Sequence, residues 1–210
     1  MKFLARLTLP LLLLALCVLT AQSAQAATAR EALESSVNKV LDIIKKPAYA
    51  NPATRDPLKK EIEAVLRSAF DFGEFSSRTV GPRWKEFSPA QQQDFSNAFA
   101  DLLMRTYVDK IDGYNGEQVA YLGERLNTKG DRAEIQTSLT MKDGKKIPVS
   151  YRMLPKDGTW RVYDVLVEGI SLVKNYRTQF QEILSSASAE ELIARVRSKT
   201  IEPAAPQGNK

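Results

Sequence analysis

Residues 133–167 read AEIQTSLTMKDGKKIPVSYRMLPKDGTWRVYDVLV, and this stretch decides the fold. Apolar and polar side chains alternate along it, which is the pattern of β-strands that bury one face. Glycine-containing turns interrupt the alternation twice, at Asp143-Gly144 and over Pro155–Gly158. The sequence therefore predicts an antiparallel meander, preceded by one weaker strand. The predicted strands are 118–123, 133–141, 147–153 and 160–168.

The first of these turns sets the register of its hairpin. A two-residue loop at Asp143-Gly144 would pair odd positions with even ones, so the two apolar sets would face opposite ways. A three-residue loop that includes Lys142 pairs Leu139 with Ile147 and puts Gly144 in the left-handed position of a bulged turn. We predict the three-residue loop because it brings both apolar sets to one face.

The last predicted strand is apolar at odd and at even positions. One face would carry Tyr163, Val165 and Val167, and the other Trp160, Val162 and Leu166. A strand of this kind is covered on both sides. Helices can cover one side, so we expect core or bound cargo to cover the other.

Helical periodicity fills the chain on both sides of the meander. Four helices are predicted before it and two after it, with capping boxes at Thr28, Ser88 and Ser188. The predicted helices begin at Thr28, Asp56-Pro57, Asp71, Ser88, Ser171 and Ser188, and Gly113 ends the fourth. This order predicts an α+β fold with helices packed on a sheet. A sheet that curls around helices makes a cone whose apolar interior suits apolar ligands.

The N-terminal residues have the organisation of a secretory signal peptide. Lys2 and Arg6 precede an uncharged run, and Ala24-Gln25-Ala26 fits the small-x-small cleavage rule. The apolar run is shorter than the roughly 20 residues of a transmembrane helix. Leucine precedes Cys17 where a lipoprotein motif has a small residue, so we expect no lipidation. We predict cleavage after Ala26 and export to the periplasm.

The predicted domain organisation is simple: a signal peptide over 1–26, a single domain over 27–201 and a disordered tail over 202–210. The sequence has no histidine, and its one cysteine lies in the predicted signal peptide. Ser-His-Asp triads, thiol nucleophiles, Cys/His zinc sites and disulfides are therefore excluded from the mature chain. Its net charge of about +3 is too weak and dispersed to indicate nucleic-acid binding.

Asp164 is the acidic residue of most chemical interest, because Tyr163 and Val165 flank it within an apolar strand. A buried carboxylate needs a partner such as arginine or tyrosine, and perturbed buried acids also occur at active sites. We interpret Asp164 as one member of a structural pair. Two alternatives stay open: a small-molecule enzyme that uses Asp164 or a tyrosine, and a periplasmic adaptor or chaperone with a filled core.

Three stretches of the chain resemble the MlaC family, also called toluene-tolerance proteins. They are FSSRTVGPRW at 75–84, SPAQQQDF at 88–95 with its continuation to Tyr107, and VYDV with EGISLV and NYRTQF between 162 and 180. The last stretch is the most specific, because its polar and small residues lie at fixed spacings that core packing does not require. With the order of the helices, the resemblance covers about residues 28–200.

The resemblance implies a fold, a function and partners. MlaC-like proteins are soluble periplasmic carriers that hold phospholipid tails in an apolar cavity, on a cone similar to that of nuclear transport factor 2. They shuttle lipid between an outer-membrane lipoprotein–porin complex and an inner-membrane ABC transporter with a ring of mammalian-cell-entry domains, which maintains outer-membrane lipid asymmetry. No cofactor, metal or catalytic residue is implied, the phospholipid being cargo, and we expect a monomer.

We expect the lipid cavity to be lined by side chains from the inward face of the sheet and from the adjoining helices. They are Phe72, Phe75, Val80, Tyr107, Ile111, Ile135, Leu139, Val149, Tyr151, Tyr163, Val165, Val167, Ile170, Val173 and Tyr176. Arg78, Asp164 and Arg177 are expected to be structural polar residues.

Overall fold

Five strands form one antiparallel meander, and helices from both ends of the chain pack on it, in a computed structural model that describes residues 27–111, 116–198 and 201. The strands are β1 (Gln118–Leu126), β2 (Ala133–Thr140), β3 (Lys146–Lys156), β4 (Thr159–Val167) and the two-residue β5 (Ile170–Ser171), and they lie side by side in chain order. The predicted α+β class and meander are confirmed. The predicted signal peptide and tail, the helix end at Gly113 and the side chain of Ile111 lie outside the described residues.

The predicted hairpin register between β2 and β3 is also confirmed. Leu139 lies opposite Ile147, and Thr137 lies opposite Val149. The Gly144 amide donates to the Met141 carbonyl over 2.9 Å, and Gly144 has a φ of 83°. That conformation is favourable for glycine, which has no Cβ to clash with the backbone.

The prediction that β4 is apolar on both faces is wrong, because a β-bulge interrupts the strand. Tyr151 lies opposite Val165, but Met153 lies opposite Val162, so β4 has one extra residue there. A bulge of this kind reverses the alternation of side chains. Trp160 and Val162 therefore join Val165 and Val167 in or against a single core. Tyr163 leaves the face to which it was assigned, and its ring lies 4.3 Å from the Arg78 guanidinium carbon.

The helices are bounded largely as the capping signals predict. They are α1 (Ala29–Ile44), α2 (Pro47–Ala50), α3 (Pro52–Ala69), α4 (Phe72–Val80), α5 (Pro89–Ile111), α6 (Leu172–Leu184) and α7 (Ala189–Arg197), with a 3-10 helix over Gly81–Glu86. Thr28 and Ser188 form the predicted capping boxes. The Ser88 amide and hydroxyl likewise exchange hydrogen bonds with Gln91.

Strands β1 and β3 are longer than predicted, and two other boundaries differ for a clear local reason. Helix α3 begins at Pro52 rather than at Pro57, because the Asn51 side chain accepts the Ala53 amide and Pro52 occupies the first helical position. The predicted turn over Pro155–Gly158 is narrower, because Lys156 pairs with Thr159 at the end of the hairpin. Asp157 and Gly158 both have positive φ, as a two-residue type I′ turn requires.

The helices and the sheet enclose two apolar clusters. The larger cluster, the main core, lies between the sheet and the helices and contains rings of Phe75, Phe95, Phe99, Tyr176 and Phe180 in mutual contact. The smaller cluster joins α1, α2, α3 and α5 through Ile43, Tyr49, Leu58, Ile62, Met104 and Val108. Helix α1 contributes to both clusters. Within the described ranges, every helix is too short or too polar to cross a membrane.

Candidate functional site

The inward face of the sheet is an apolar wall. Ile135, Val149, Met153 and Val165 are buried on it, and Tyr151 packs against the same cluster. Helix α1 contacts β2 and β4, and α4 and α6 contact β4. The wall therefore forms one side of an enclosed apolar layer, with helices on the other.

Most of the residues that were expected to line a lipid cavity meet in this layer. The main core contains, or is packed against, Phe72, Phe75, Val80, Tyr107, Ile135, Val149, Tyr151, Val165, Val167, Val173 and Tyr176. Tyr163 lies elsewhere because of the bulge, and Leu139 and Ile170 are only partly buried. Ile111 lies outside the described side chains. The structure therefore gathers most of the predicted set around one interior.

A cavity of about 530 Å³ opens between the C-terminal half of α1 and the beginning of β1; we call it the α1–β1 opening. Its volume is within the range of small-ligand sites. Its apolar lining includes Val37, Leu41, Val119 and Tyr121, and its polar lining includes Asn38, Lys45, Glu117 and Gln118. Sequence reasoning missed this site, because Val37 and Leu41 have the ordinary spacing of a buried helix stripe.

Four tyrosines put hydroxyl groups into the otherwise apolar interior. Burial raises the pKa of Tyr121 to about 12, helped by the neighbouring Tyr151 and Glu34, and its hydroxyl has no hydrogen-bond partner among the described residues. Burial also raises the pKa of Tyr151. The pKa of Tyr107 is raised by burial and by its hydrogen bond with Tyr176. Burial disfavours the phenolate, so the hydroxyl groups of Tyr107, Tyr121 and Tyr151 stay protonated at neutral pH and can donate hydrogen bonds.

Asp164 belongs to a row of alternating charges on the opposite face of the sheet. Arg125, Glu134, Arg152 and Asp164 lie opposite one another on β1 to β4. The ion pairs along this row measure 3.3, 3.2 and 3.3 Å. The Asp164 carboxylate also accepts the Ser171 hydroxyl at 2.7 Å and the Val173 amide at 3.1 Å, at the N-terminus of α6. All its oxygens are thus engaged in contacts that hold α6 to β4. Arg152 carried no signal in the sequence, and Ser171 was identified there only as the start of a helix.

Arg78 and Arg177 connect α4 with its neighbours. Arg78 forms an ion pair with Glu74 at 2.6 Å, and its guanidinium lies over the Tyr163 ring. Arg177 donates its Nε–H to the Arg78 carbonyl at 2.7 Å. These contacts are those of side chains that fix helix positions.

A second, smaller cavity of about 320 Å³ lies beside the charge row, at Arg125, Arg132, Glu134, Arg152 and Tyr163. Each of these arginines already has a carboxylate within 4 Å. Across residues 27–111, 116–198 and 201, no group of three histidine, cysteine, aspartate or glutamate side chains is arranged to hold a metal ion. The α1–β1 opening, which borders the apolar layer, is thus the candidate ligand site in the described part of the chain.

Known proteins resemble this chain over most of its length. A family model described as MlaC protein matches residues 34–198. The toluene tolerance protein ttg2D of Pseudomonas putida is 22% identical over 174 residues, which are 82% of this chain and 80% of that protein. The intermembrane phospholipid transport system binding protein MlaC of Haemophilus influenzae is 22% identical over 130 residues, 60% of this chain and 61% of that protein.

A solved structure shares the fold. It is a phospholipid-binding protein from Ralstonia solanacearum in complex with a phospholipid, with a TM-score of 0.71 at 23% sequence identity. The match covers 82% of this chain and 97% of that one. This chain therefore shares its overall fold with a protein of known structure.

Proposed function

This chain belongs to the MlaC family, and from that premise we propose that it is a periplasmic carrier of phospholipid. The observation that carries the proposal is the apolar layer between the sheet and the helices, which reaches the surface through the α1–β1 opening. The relatives named for phospholipid binding and transport support it. The acyl tails occupy the layer, and the polar end of the lipid stays near water.

Burial of the tails explains how such a carrier works without a catalytic group. Two acyl chains with about 30 methylenes gain on the order of 24 kcal/mol when they leave water, at about 0.8 kcal/mol per methylene. A bilayer offers nearly the same gain, so transfer between protein and membrane is close to thermoneutral. Escape through water is very slow for the same reason. Handover therefore requires partners that keep the tails dry.

The layer has to open before tails can enter. Its central aromatic residues are fully buried, and protein interiors are packed as densely as organic crystals. They are Phe75, Phe95, Phe99, Tyr176 and Phe180. Helix α1 borders the opening and lies against the apolar wall. We expect α1 to move away from the sheet when lipid is loaded, which enlarges the existing opening.

Cellular location and partners follow from the same proposal. The signal peptide is removed after Ala26, and the mature chain works as a monomer in the periplasm. Its partners are an inner-membrane ABC transporter with mammalian-cell-entry domains and an outer-membrane lipoprotein–porin complex. Family membership supports these assignments.

Phospholipid is expected to accompany the natively purified protein. Organic extraction followed by mass spectrometry should release intact two-chain phospholipid, and phosphate analysis should give a substantial fraction of one lipid per chain. A filled core that binds only protein, as in an adaptor or chaperone, would release none. A small polar metabolite in place of phospholipid would contradict the proposal in favour of the enzyme alternative.

The loaded protein is expected to leave its cargo chemically intact. The Asp164 carboxylate is engaged by Arg152, Ser171 and the α6 backbone, and burial raises the pKa of Tyr121, so its phenol is protonated at neutral pH. Neither group is therefore available as a base. Incubation at neutral pH should release no free fatty acid or lysolipid above a protein-free blank. Release that disappears in Asp164→Asn would support the enzyme alternative.

A further inference from the structure

The α1–β1 opening joins the surface to the main core. Val37 and Tyr121 line the opening and also pack against that core. A molecule seated there would therefore touch the apolar layer at one end and water at the other. The second cavity differs, because its arginines are already paired and it lies beside the charge row on the opposite face.

Two polar groups at this opening are suited to the polar end of a lipid. Lys45, the residue that ends α1, is exposed and is the one cation among the described lining residues. The Tyr121 hydroxyl lies deeper, is buried, and has no hydrogen-bond partner in the described part of the chain. A buried hydroxyl without a partner destabilises the fold. Tyr121 lines the cavity, so a movement of α1 would bring its hydroxyl within reach of a ligand that accepts a hydrogen bond.

The order of these groups matches the order of groups in a phospholipid. A phospholipid has an anionic phosphodiester at the water side, ester carbonyls next, and then apolar tails. The opening presents an ammonium at its rim, a hydroxyl donor deeper in, and then the apolar layer. Glu117 also lines the rim, so the described lining residues carry one cation and one anion, as a zwitterionic headgroup does.

We propose that the polar end of the bound phospholipid lies in the α1–β1 opening, where the Lys45 ammonium pairs with the phosphodiester and the Tyr121 hydroxyl donates a hydrogen bond to an ester carbonyl. This assignment rests on the proposed carrier function and adds the orientation of the cargo. Lipid leaves and enters past α1, so the phosphodiester is the first group to lose contact with the protein when the lipid leaves.

Two substitutions and two lipids test the assignment. Binding of dioleoyl phosphatidylglycerol and of dioleoylglycerol, which lacks the phosphodiester, is measured for delipidated Lys45→Gln and Tyr121→Phe. Lys45→Gln is expected to weaken phosphatidylglycerol binding about three- to tenfold, with little effect on dioleoylglycerol. Tyr121→Phe is expected to weaken both about two- to tenfold and to raise the thermal midpoint of the lipid-free protein, because the unpaired hydroxyl is gone.

Matched controls come from the same chain. Lys39→Gln removes an exposed lysine of α1 that does not line the opening, and Tyr163→Phe removes a hydroxyl beside the other cavity. Both should bind each lipid as wild type does. High salt should reduce phosphatidylglycerol binding of wild type and have less effect on Lys45→Gln, because salt screens the ion pair.

The outcomes separate this assignment from the carrier function. If wild type binds phospholipid but Lys45→Gln and Tyr121→Phe bind it equally well, the orientation is wrong and the carrier function stands. Equal losses in the Lys39→Gln and Tyr163→Phe controls would likewise overturn the orientation. If wild type binds neither lipid, the carrier function fails and the orientation fails with it.

Discussion

A tryptophan at position 149 is expected to expel phospholipid from the protein while the fold survives. Val149 is 9% exposed on β3, and its side chain belongs to the apolar wall. If tails occupy the layer beside it, the added ring takes the volume of several methylenes, each of which contributes about 0.8 kcal/mol to burial. We expect bound lipid per protein to fall at least about fivefold, with a smaller fall in the thermal midpoint of the lipid-free protein than the same change causes at a site packed on all sides.

Valine-to-tryptophan changes at other buried sites provide the comparison. Val196 on α7 is fully buried among helices, where the same ring overpacks the core and costs about 1–3 kcal/mol. Val165→Trp, on the wall, should behave like Val149→Trp. The measurement is paired: thermal midpoint and extracted phospholipid for each variant. Full lipid occupancy with tryptophan at both 149 and 165, or lipid loss that only follows unfolding, would mean that the wall is ordinary core.

Replacing Arg152 by methionine is expected to produce the largest loss of stability. The Asp164 side chain is 3% exposed, and Arg152 is its cation at 3.3 Å. Removing one partner of a buried ion pair leaves an uncompensated charge and costs about 3–5 kcal/mol. Arg152 is 35% exposed, so solvent screens part of the pair, and a value near the lower end is expected. Urea unfolding followed by circular dichroism measures the free energy of unfolding.

Arg125→Met provides the control for this prediction, and Asp164→Asn provides a second substitution that should restore stability. Arg125 pairs with the same Glu134 from the other side, but its side chain is 71% exposed, so Arg125→Met should cost less than about 1 kcal/mol. Asp164→Asn removes the charge, keeps an oxygen that accepts the Val173 amide, and places an NH2 group beside the Ser171 hydroxyl, which can accept a hydrogen bond from it. The double variant with Arg152→Met should therefore recover much of the loss. If Arg125→Met and Arg152→Met destabilise the protein equally, the Arg152–Asp164 pair is not coupled. The same conclusion follows if the double variant loses as much stability as the sum of Arg152→Met and Asp164→Asn.

Asp164 resembles a catalytic residue in the sequence, but in the fold its contacts join β4 to β3 and to the start of α6. The apolar neighbours that make it conspicuous result from the burial of β4. Its partners are supplied by β3 and by the start of α6, and they fill its hydrogen-bonding capacity. The expectation of a structural pair agrees with these contacts, but the partner Arg152 became evident only when the strands were in register.

Sequence by itself determined the features that depend on neighbours within a few residues. Capping boxes and early prolines marked most helix starts, because a cap satisfies amides within one turn. Alternation and Gly144 specified the β2–β3 register, because a one-residue slip would turn every apolar side chain to solvent. The β4 bulge was visible too: apolar positions change from even at Trp160 and Val162 to odd at Val165 and Val167, a shift that we interpreted as two covered faces.

Tertiary structure alone decided the features built from distant parts of the chain. The Arg125–Asp164 row needs four strands in register, and the α1–β1 opening needs a helix and an edge strand that are far apart in sequence. The alternation of apolar and polar residues assigns each side chain to one face of its own strand. It does not show which helix or strand packs against that face. Val37 and Leu41 had the spacing of core residues, and only the position of α1 against β1 placed them beside a cavity, with Lys45 at its rim and the unpaired Tyr121 hydroxyl at its wall.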